Sequence, residues 1–428
     1  MLGTAVLAIV ILLALALPVS AVMGWLGIIL DQSYSHFGFY QVMGEVFWTH
    51  AHSFTLLPIP LFVFLGEVLV RSGIAARMYA AMTHWLGWLP GGLMHANIGA
   101  STMFAANSGS SVATAATISV LAIPEIFKRK YNERLFLGSI AAGGTLGILI
   151  PPSINMIIYG FLTDTSIPQL YLAGIIPGFL LAFFFMAVIL IACLVRPEWG
   201  GVREHTDWPT RFRSLVNLLP PLFIFMLVVG SIYMGLATPT EAAALGVLGA
   251  LVLAHVYRKL SLAMLKEAIK GTMRTTGMLL LIILMAHFLN FVLAAIGLVG
   301  AVNRMIANLG WSPGQTMIMI ICMYMLLGMF MDALAMMILT VPVIGPVVFA
   351  LGFDPVWFGV VVMLMCETAL ITPPVGINVY VVQGVRGRGA LNDVTIGILP
   401  YLCALLAMIA MLLINDDIAL YLPKLFYR

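Results

Sequence analysis

The chain has 428 residues, of which 62% are hydrophobic and only 9% charged, with a formal net charge of +3. Soluble domains carry roughly 25% charged residues, so a soluble globular fold is excluded. The continuous apolar runs exclude a β-barrel, whose strands alternate apolar and polar positions. What remains is an all-α polytopic membrane protein embedded in a lipid bilayer, with no basic patch suited to nucleic acid.

Residues 1–30 read as a first span. No Lys or Arg precedes it, and its apolar character continues past the cleavage-like Pro18-Val19-Ser20-Ala21, so it is expected to be retained. Residues 31–55 form a mixed segment with His36, His50 and His52. His50 and His52 are not spaced i,i+4 and carboxylates are sparse, which favours an interfacial loop over a metal site. Residues 56–70 are a second span, with Glu67 and Arg71 placed i,i+4 as an ion pair. Residues 71–92, with Arg71, Arg77, Trp85 and Trp88, read as an amphipathic interfacial helix.

Residues 93–127 are apolar but interrupted by Asn107-Ser108-Gly109-Ser110-Ser111. Each half falls short of the roughly 20 residues a span needs, and a re-entrant helical hairpin is predicted. Residues 135–160 form a span broken at Pro151-Pro152, followed by a span over 167–195 and a basic loop over 196–213. Spans over 216–236 and 241–257 precede a basic amphipathic segment, 258–274. The span 277–297 carries His287 and Asn290 at i,i+3, which suits interhelical hydrogen bonding. An interfacial segment, 298–312, leads to a second hairpin over 315–351 with Asp332 near its centre. A span over 355–385 broken at Pro373-Pro374, a last span over 394–415 and a short tail complete the chain. Cys193, Cys322, Cys366 and Cys403 lie in apolar spans and read as small hydrophobes.

The two halves repeat. Leu86, Gly87, Trp88, Pro90, Gly91 and Met94 recur as Leu309, Gly310, Trp311, Pro313, Gly314 and Met317, an offset of 223. Asn155 with Asn378, Gly174 with Gly397 and Pro177 with Pro400 share that offset, and the proline pairs stand at 222. The chain divides into a first repeat (1–195), a linker with an extra span (196–238) and a second repeat (239–428). Placing the basic loops at 71–92, 128–134, 196–213, 258–274 and 386–388 in the cytoplasm satisfies every alternation. The N-terminus is then cytoplasmic, the C-terminus lies outside, and the repeats are inverted, as in many secondary transporters.

A proline inside a helix removes a donor and blocks a carbonyl, so each pair opens the backbone. Open backbone at membrane depth persists only where it is buried in protein or lines a cavity. Freed carbonyls and hydroxyls suit a hard cation such as Na⁺, while half-helix N-termini attract anions. Near the first break stand Gly143, Gly144, Thr145 and Gly147, facing the serine-rich hairpin tip. Near the second stand Thr368 and Thr372, with Gly328 and Asp332 from the other hairpin. A mid-membrane carboxylate costs about 2.5–3.5 kcal/mol on insertion scales, so Asp332 reads either as a substrate or Na⁺ residue or as a cap on a hairpin half. Glu367, beside Thr368, poses a similar question. No nucleotide loop, metalloprotease helix or nucleophile elbow is visible, so neither ATP use nor enzymatic chemistry is expected.

The serine-rich tip 107–111, the break 144–155, the Asp332 hairpin and the break 368–378 together resemble the large membrane subunit of the tripartite ATP-independent periplasmic (TRAP) transporters, over essentially the whole chain. The plan is also similar to the divalent-anion/Na⁺ symporters. Those carry Ser-Asn-Thr at both tips, where this chain has Asn-Ser-Gly-Ser-Ser and Met331-Asp332-Ala333. The TRAP resemblance implies a Na⁺-coupled, binding-protein-dependent symporter that imports an organic acid (a dicarboxylate, sialic acid or sugar acid) across a bacterial inner membrane by an elevator motion. It implies two partners, a small membrane subunit, here expected as a separate chain, and a periplasmic substrate-binding protein. Carried over by position, two or more Na⁺ sites are expected. One would involve Ser108, Gly109, Gly147, Ile150 and Pro152, and the other Gly328, Thr368 and Thr372. Substrate would lie near Asn107, Ser110, Ser111, Asp332, Asn155 and Asn378. A self-sufficient Na⁺/dicarboxylate symporter is the alternative.

Overall fold

A computed structural model describes residues 1–15, 17–35, 37–202, 206–308 and 310–427, and every regular element among them is helical. His36, Leu309 and the part of the basic loop at 203–205 lie outside the described residues. Eight described helices or helical runs are long and apolar enough to cross a membrane.

One group of helices forms a continuous wall. The expected first span is two helices, α1 (Leu2–Ala14) and α2 (Val19–Tyr34), because Pro18 stands at their junction with extended ψ and cannot continue a helix that precedes it. The expected loop after it contains a further helix, α3 (Met43–Ala51). Next come α4 (Pro58–Arg71), in which Glu67 and Arg71 do pair, and the amphipathic α5 (Ile74–Leu86).

The next group begins with a hairpin, α6 (Leu93–Ser108) and α7 (Ser111–Lys128). A broken helix follows as α8 (Glu133–Thr145) and α9 (Ile154–Thr163), then the long α10 (Ile167–Val195). The connection runs through α11 (Trp208–Leu215), α12 (Leu219–Phe225), a wider turn at Met226–Gly230 and α13 (Ser231–Tyr233).

Two wall helices come next, α14 (Pro239–Val256) and α15 (Leu262–Ala295), which pack against α4. The sequence suggested two segments, 258–274 and 277–297, where α15 is one helix of 34 residues. At 1.5 Å per residue it is about 51 Å long, so its basic N-terminal turns outrun a hydrocarbon core about 30 Å thick. The composition shift marks a membrane edge, with no residue to stop the helix. His287 on α15 also departs from expectation. Its ring stacks on His50 of α3 at 3.9 Å and meets Phe161 edge-on, while Nε2 has no hydrogen-bond partner among the described residues.

After α16 (Leu298–Asn308) the earlier order recurs. A hairpin is formed by α17 (Pro313–Gly328) and α18 (Ala333–Ala350), and a broken helix by α19 (Pro355–Ile371) and α20 (Ile377–Arg386). The long α21 (Leu391–Ile414) closes the series, and the tail is a helix, α22 (Asp417–Phe426), packed on α10. Helix starts are written into the sequence. Ser110, Asn132, Ser153, Asp332 and Asp354 each accept a backbone N–H at the first turn that follows, and Thr238 and Ser312 form capping boxes. The second halves of the hairpins, α7 and α18, have 18 residues each, which is within reach of a span, whereas the sequence reads each half as too short to cross.

The two series interlock. Helix α8 packs along α21, and α20 packs on α7. A methyl at Gly138 would lie 2.0 Å from the Gly397 carbonyl oxygen, so α8 and α21 approach backbone to backbone, as small residues permit in membranes. At one end, Arg386 of α20 donates to Glu133 of α8 at 2.9 Å and to Asp393 of α21 at 3.2 Å. Arg134 joins Asp393 at 3.0 Å. The Arg386 side chain is 3% exposed, and removing it leaves Glu133 without this cation and Asp393 with Arg134 alone. Ion pairs to partly exposed carboxylates contribute about 1 kcal/mol or less each. Arg386→Ala is therefore expected to lower the thermal midpoint of the detergent-solubilised protein, and an unchanged midpoint would remove this cluster from the stability account.

Candidate functional site

The first hairpin tip sits on the first break with almost no side chain between. Gly109 ends α6 in the left-handed region at φ +59°, and a methyl there would lie 2.7 Å from the Pro152 carbonyl oxygen. A methyl at Gly147 would lie 2.8 Å from the Ser110 carbonyl carbon and 2.9 Å from the Ser111 nitrogen. Glycine is required at both for this approach. Ser108 Oγ is 3.2 Å from Thr114 Oγ1, which donates to the Ser110 carbonyl at 2.7 Å. Ser108, Gly109, Gly147 and Pro152 therefore meet in an oxygen-rich knot. Ile150 contributes backbone to the same break, while its side chain packs against Gly178 of α10.

The second break is built differently. Thr368 Oγ1 donates to the Leu364 carbonyl at 2.8 Å, and Thr372 Oγ1 donates to the Thr368 carbonyl at 2.6 Å. Each hydroxyl keeps lone pairs free to accept. Gly328 lets the end of α17 close on Ala369, where a methyl would come within 2.5 Å of Cβ. Asp332 caps α18 by accepting the Leu334 N–H at 3.2 Å. Cys366 Sγ donates to the Ala333 carbonyl at 3.3 Å and ties this tip to α19.

Both tips border one cavity of about 700 Å³, walled on the other side by α4 and α15. Ser108, Gly109, Ser110, Ser111, Asn155 and Asp332 line it, and the first residues of α7, α9, α18 and α20 all open onto it. Four half-helix N-termini therefore converge on one space; Ser110, Ser153 and Asp332 each take one N–H of α7, α9 and α18, and α20 has no side-chain cap. Gly147, Ile150, Pro152, Gly328, Thr368 and Thr372 are not among the residues that line it. Nor is Asn107, which donates to the Met103 carbonyl at 2.8 Å.

The repeat equates Asn155 with Asn378, but the structure separates them. Asn155 Nδ2 has no partner among the described residues and borders the cavity. Asn378 is fully buried, donating to Ser111 Oγ at 3.0 Å and to the Ala141 carbonyl at 3.2 Å. It fastens α20 to α7 and α8. On the wall stand Glu67, which the sequence reads only as an ion pair, and Thr275, which as a threonine within a helix carries no separate signal.

The comparisons fit this geometry. A family profile described as "Tripartite ATP-independent periplasmic transporter, DctM component" matches residues 6–418. The chain belongs to that family. TRAP large permeases are transporter components rather than enzymes, and this one is a multi-pass membrane protein. It is 34% identical to the C4-dicarboxylate TRAP large permease of Pseudomonas aeruginosa, over 89% of this chain and 88% of that one. It is 33% identical to the sialic acid TRAP large permease of Vibrio cholerae, over 91% and 90% respectively. Its fold is similar to the YdaH transporter of Alcanivorax borkumensis, with a TM-score of 0.66 at 16% identity, covering 96% of this chain and 97% of that one.

Gly147 offers a direct check on the seating of the tip in this TRAP permease. Its neighbours are backbone and cannot yield cheaply. Overpacking costs about 1–3 kcal/mol, so Gly147→Ala should cut uptake roughly tenfold or more while the protein still reaches the membrane. Uptake near the unmodified level would show that the tip does not rest on the break.

Proposed function

We propose that this chain is the permease of a Na⁺-coupled, binding-protein-dependent importer of an organic acid. The observation that carries the reading is the convergence of four half-helix N-termini on a cavity flanked by two oxygen-rich breaks. An organic anion finds N–H donors and positive dipole ends there. Na⁺ finds backbone carbonyls around Ser108, Gly109, Gly147, Ile150 and Pro152, and hydroxyls with carbonyls around Gly328, Thr368 and Thr372. Ser110, Ser111 and Asn155 line that cavity and would receive a carboxylate. Asp332 stands opposite them, and Asn107 and Asn378 hold the lining in place. Relatives are described as permeases for C4-dicarboxylates, sialic acid and 2,3-diketo-L-gulonate, which supports a carboxylated substrate.

The motion is an elevator. A second cavity, of about 670 Å³, lies between α9, α15 and α18 and is bordered by His287 and Asn290. The first cavity uses positions 275–282 of α15 and the second uses 287–294. At 1.5 Å per residue these stations are about 18 Å apart along one unbroken helix, a distance the hairpins and broken helices would travel past it. Na⁺ supplies the drive. Each net positive charge moved inward gains about 2.3 kcal/mol per 100 mV, or roughly a fortyfold gradient, without ATP.

The repeats are inverted and the hairpins re-entrant. The N-terminus lies in the cytoplasm and the C-terminus in the periplasm of a bacterial inner membrane. A small membrane subunit, as a separate chain, and a periplasmic substrate-binding protein complete the system.

Reconstitution with both partners tests this. Uptake is expected to need the Na⁺ gradient and the binding protein, and to be lost in Asp332→Ala and Thr372→Ala variants that remain folded. Uptake by the chain alone would make it a self-sufficient symporter. Unsaturable flux that ignores Na⁺ would make it a channel. Cysteines placed at 128–130 and 386–388 should label only from the cytoplasmic side, and labelling of either from outside would break the topology.

A further inference from the structure

One buried acid has no place in this scheme. Glu367 of α19 is fully buried and does not border either cavity described above. Its Oε2 meets Thr145 Oγ1, at the end of α8, at 3.5 Å. Its Oε1 has no hydrogen-bond partner among the described residues. Thr145 is equally buried, and its single hydroxyl proton is shared between Glu367 and the Ala142 carbonyl, which lies at 2.8 Å. An incompletely paired acid at such depth costs stability that an apolar side chain of similar volume would not, so packing does not account for it.

Its position does. Thr145 stands two residues before Gly147 of the first break, and Glu367 immediately precedes Thr368 of the second. The two residues are 222 positions apart, the offset that relates the proline pairs. Each is thus the repeat counterpart of the other. A residue can touch its own counterpart only close to the axis relating the repeats. At that point a shift of one break is passed to the other with no intervening lever.

We propose that Glu367 is a positioning residue that couples the two ion clusters through Thr145, so that Na⁺ held at one break favours Na⁺ at the other. The proposal rests on the Na⁺-coupled reading above. Allosteric coupling of the usual 1–3 kcal/mol corresponds to a change in affinity of about fivefold or more.

The test is Na⁺-dependent uptake by the complete reconstituted system at saturating substrate. The unmodified protein should respond sigmoidally to Na⁺. Glu367→Ala and Thr145→Val should each raise half-saturating Na⁺ at least about fivefold and flatten the curve, with the maximal rate regained at high Na⁺. Glu367→Gln, which keeps the length and polar contacts of the side chain, should restore the original curve. The Thr145→Val/Glu367→Ala double variant should be no worse than Glu367→Ala alone, as for two residues acting through one contact.

A fall in maximal rate with unchanged half-saturation would overturn the coupling, since it indicates packing alone. Additive effects in the double variant would overturn it as well. So would a Gln variant that fails as Ala does, because charge rather than contact would then be required. If Glu367→Ala does not fold, Thr145→Val and Glu367→Gln still decide. Na⁺-independent uptake by the unmodified protein would sink the Na⁺ reading and this inference together, whereas Na⁺-dependent uptake unaffected by these variants sinks only the inference.

Discussion

An opened helix inside a bilayer must give its freed backbone groups a protein neighbour, and here that neighbour is another backbone. Hydrocarbon cannot satisfy N–H or C=O groups, so each proline pair demands something that approaches closely and brings polar atoms. The hairpin tips meet that demand. Gly109 and Gly147 admit main chain where any side chain would collide, and the serines and threonines around them use their hydroxyls locally. The wall helices α4, α14 and α15 then remain regular, because the irregular backbone is gathered on the other side of the cavity.

The two hairpins are not equivalent in charge. At the first tip the cap is the neutral Ser110, while at the second it is the carboxylate of Asp332. A carboxylate cap already answers the positive end of α18. The ends of α7 and α9 carry only neutral serine caps, Ser110 and Ser153. Of the two roles open to Asp332 in the sequence, the cap is visible in the structure, and its place on the cavity lining leaves the other role to be tested by uptake.

Much of this was legible in the residues because Pro, Gly, Ser and Asn punctuate otherwise apolar runs. Both hairpins, both breaks and the long helices after them stand close to where that punctuation put them. The misreadings share a cause. Pro18 was read for its likeness to a cleavage site, and its effect as a helix breaker was overlooked. The sequence divides the basic first turns of α15 from the apolar rest, although charge and helical propensity are independent quantities. For His287 a hydrogen bond was expected, but its neighbour is the ring of His50, which no local pattern reveals. The repeat could equate Asn155 with Asn378 but could not say which would be buried, since that depends on the other helices around each.

The bond between Asn378 and Ser111 joins residues 267 positions apart. During synthesis at about 5–20 residues per second, roughly 13–50 seconds separate the two. Through that interval the first tip lacks the amide that fastens it, and α8 lacks the helix it lies against. The earlier half of the chain thus enters the bilayer with its polar seam open, and the last helices to emerge are the ones that close it. Truncation late in the chain would therefore remove the contacts that close that seam.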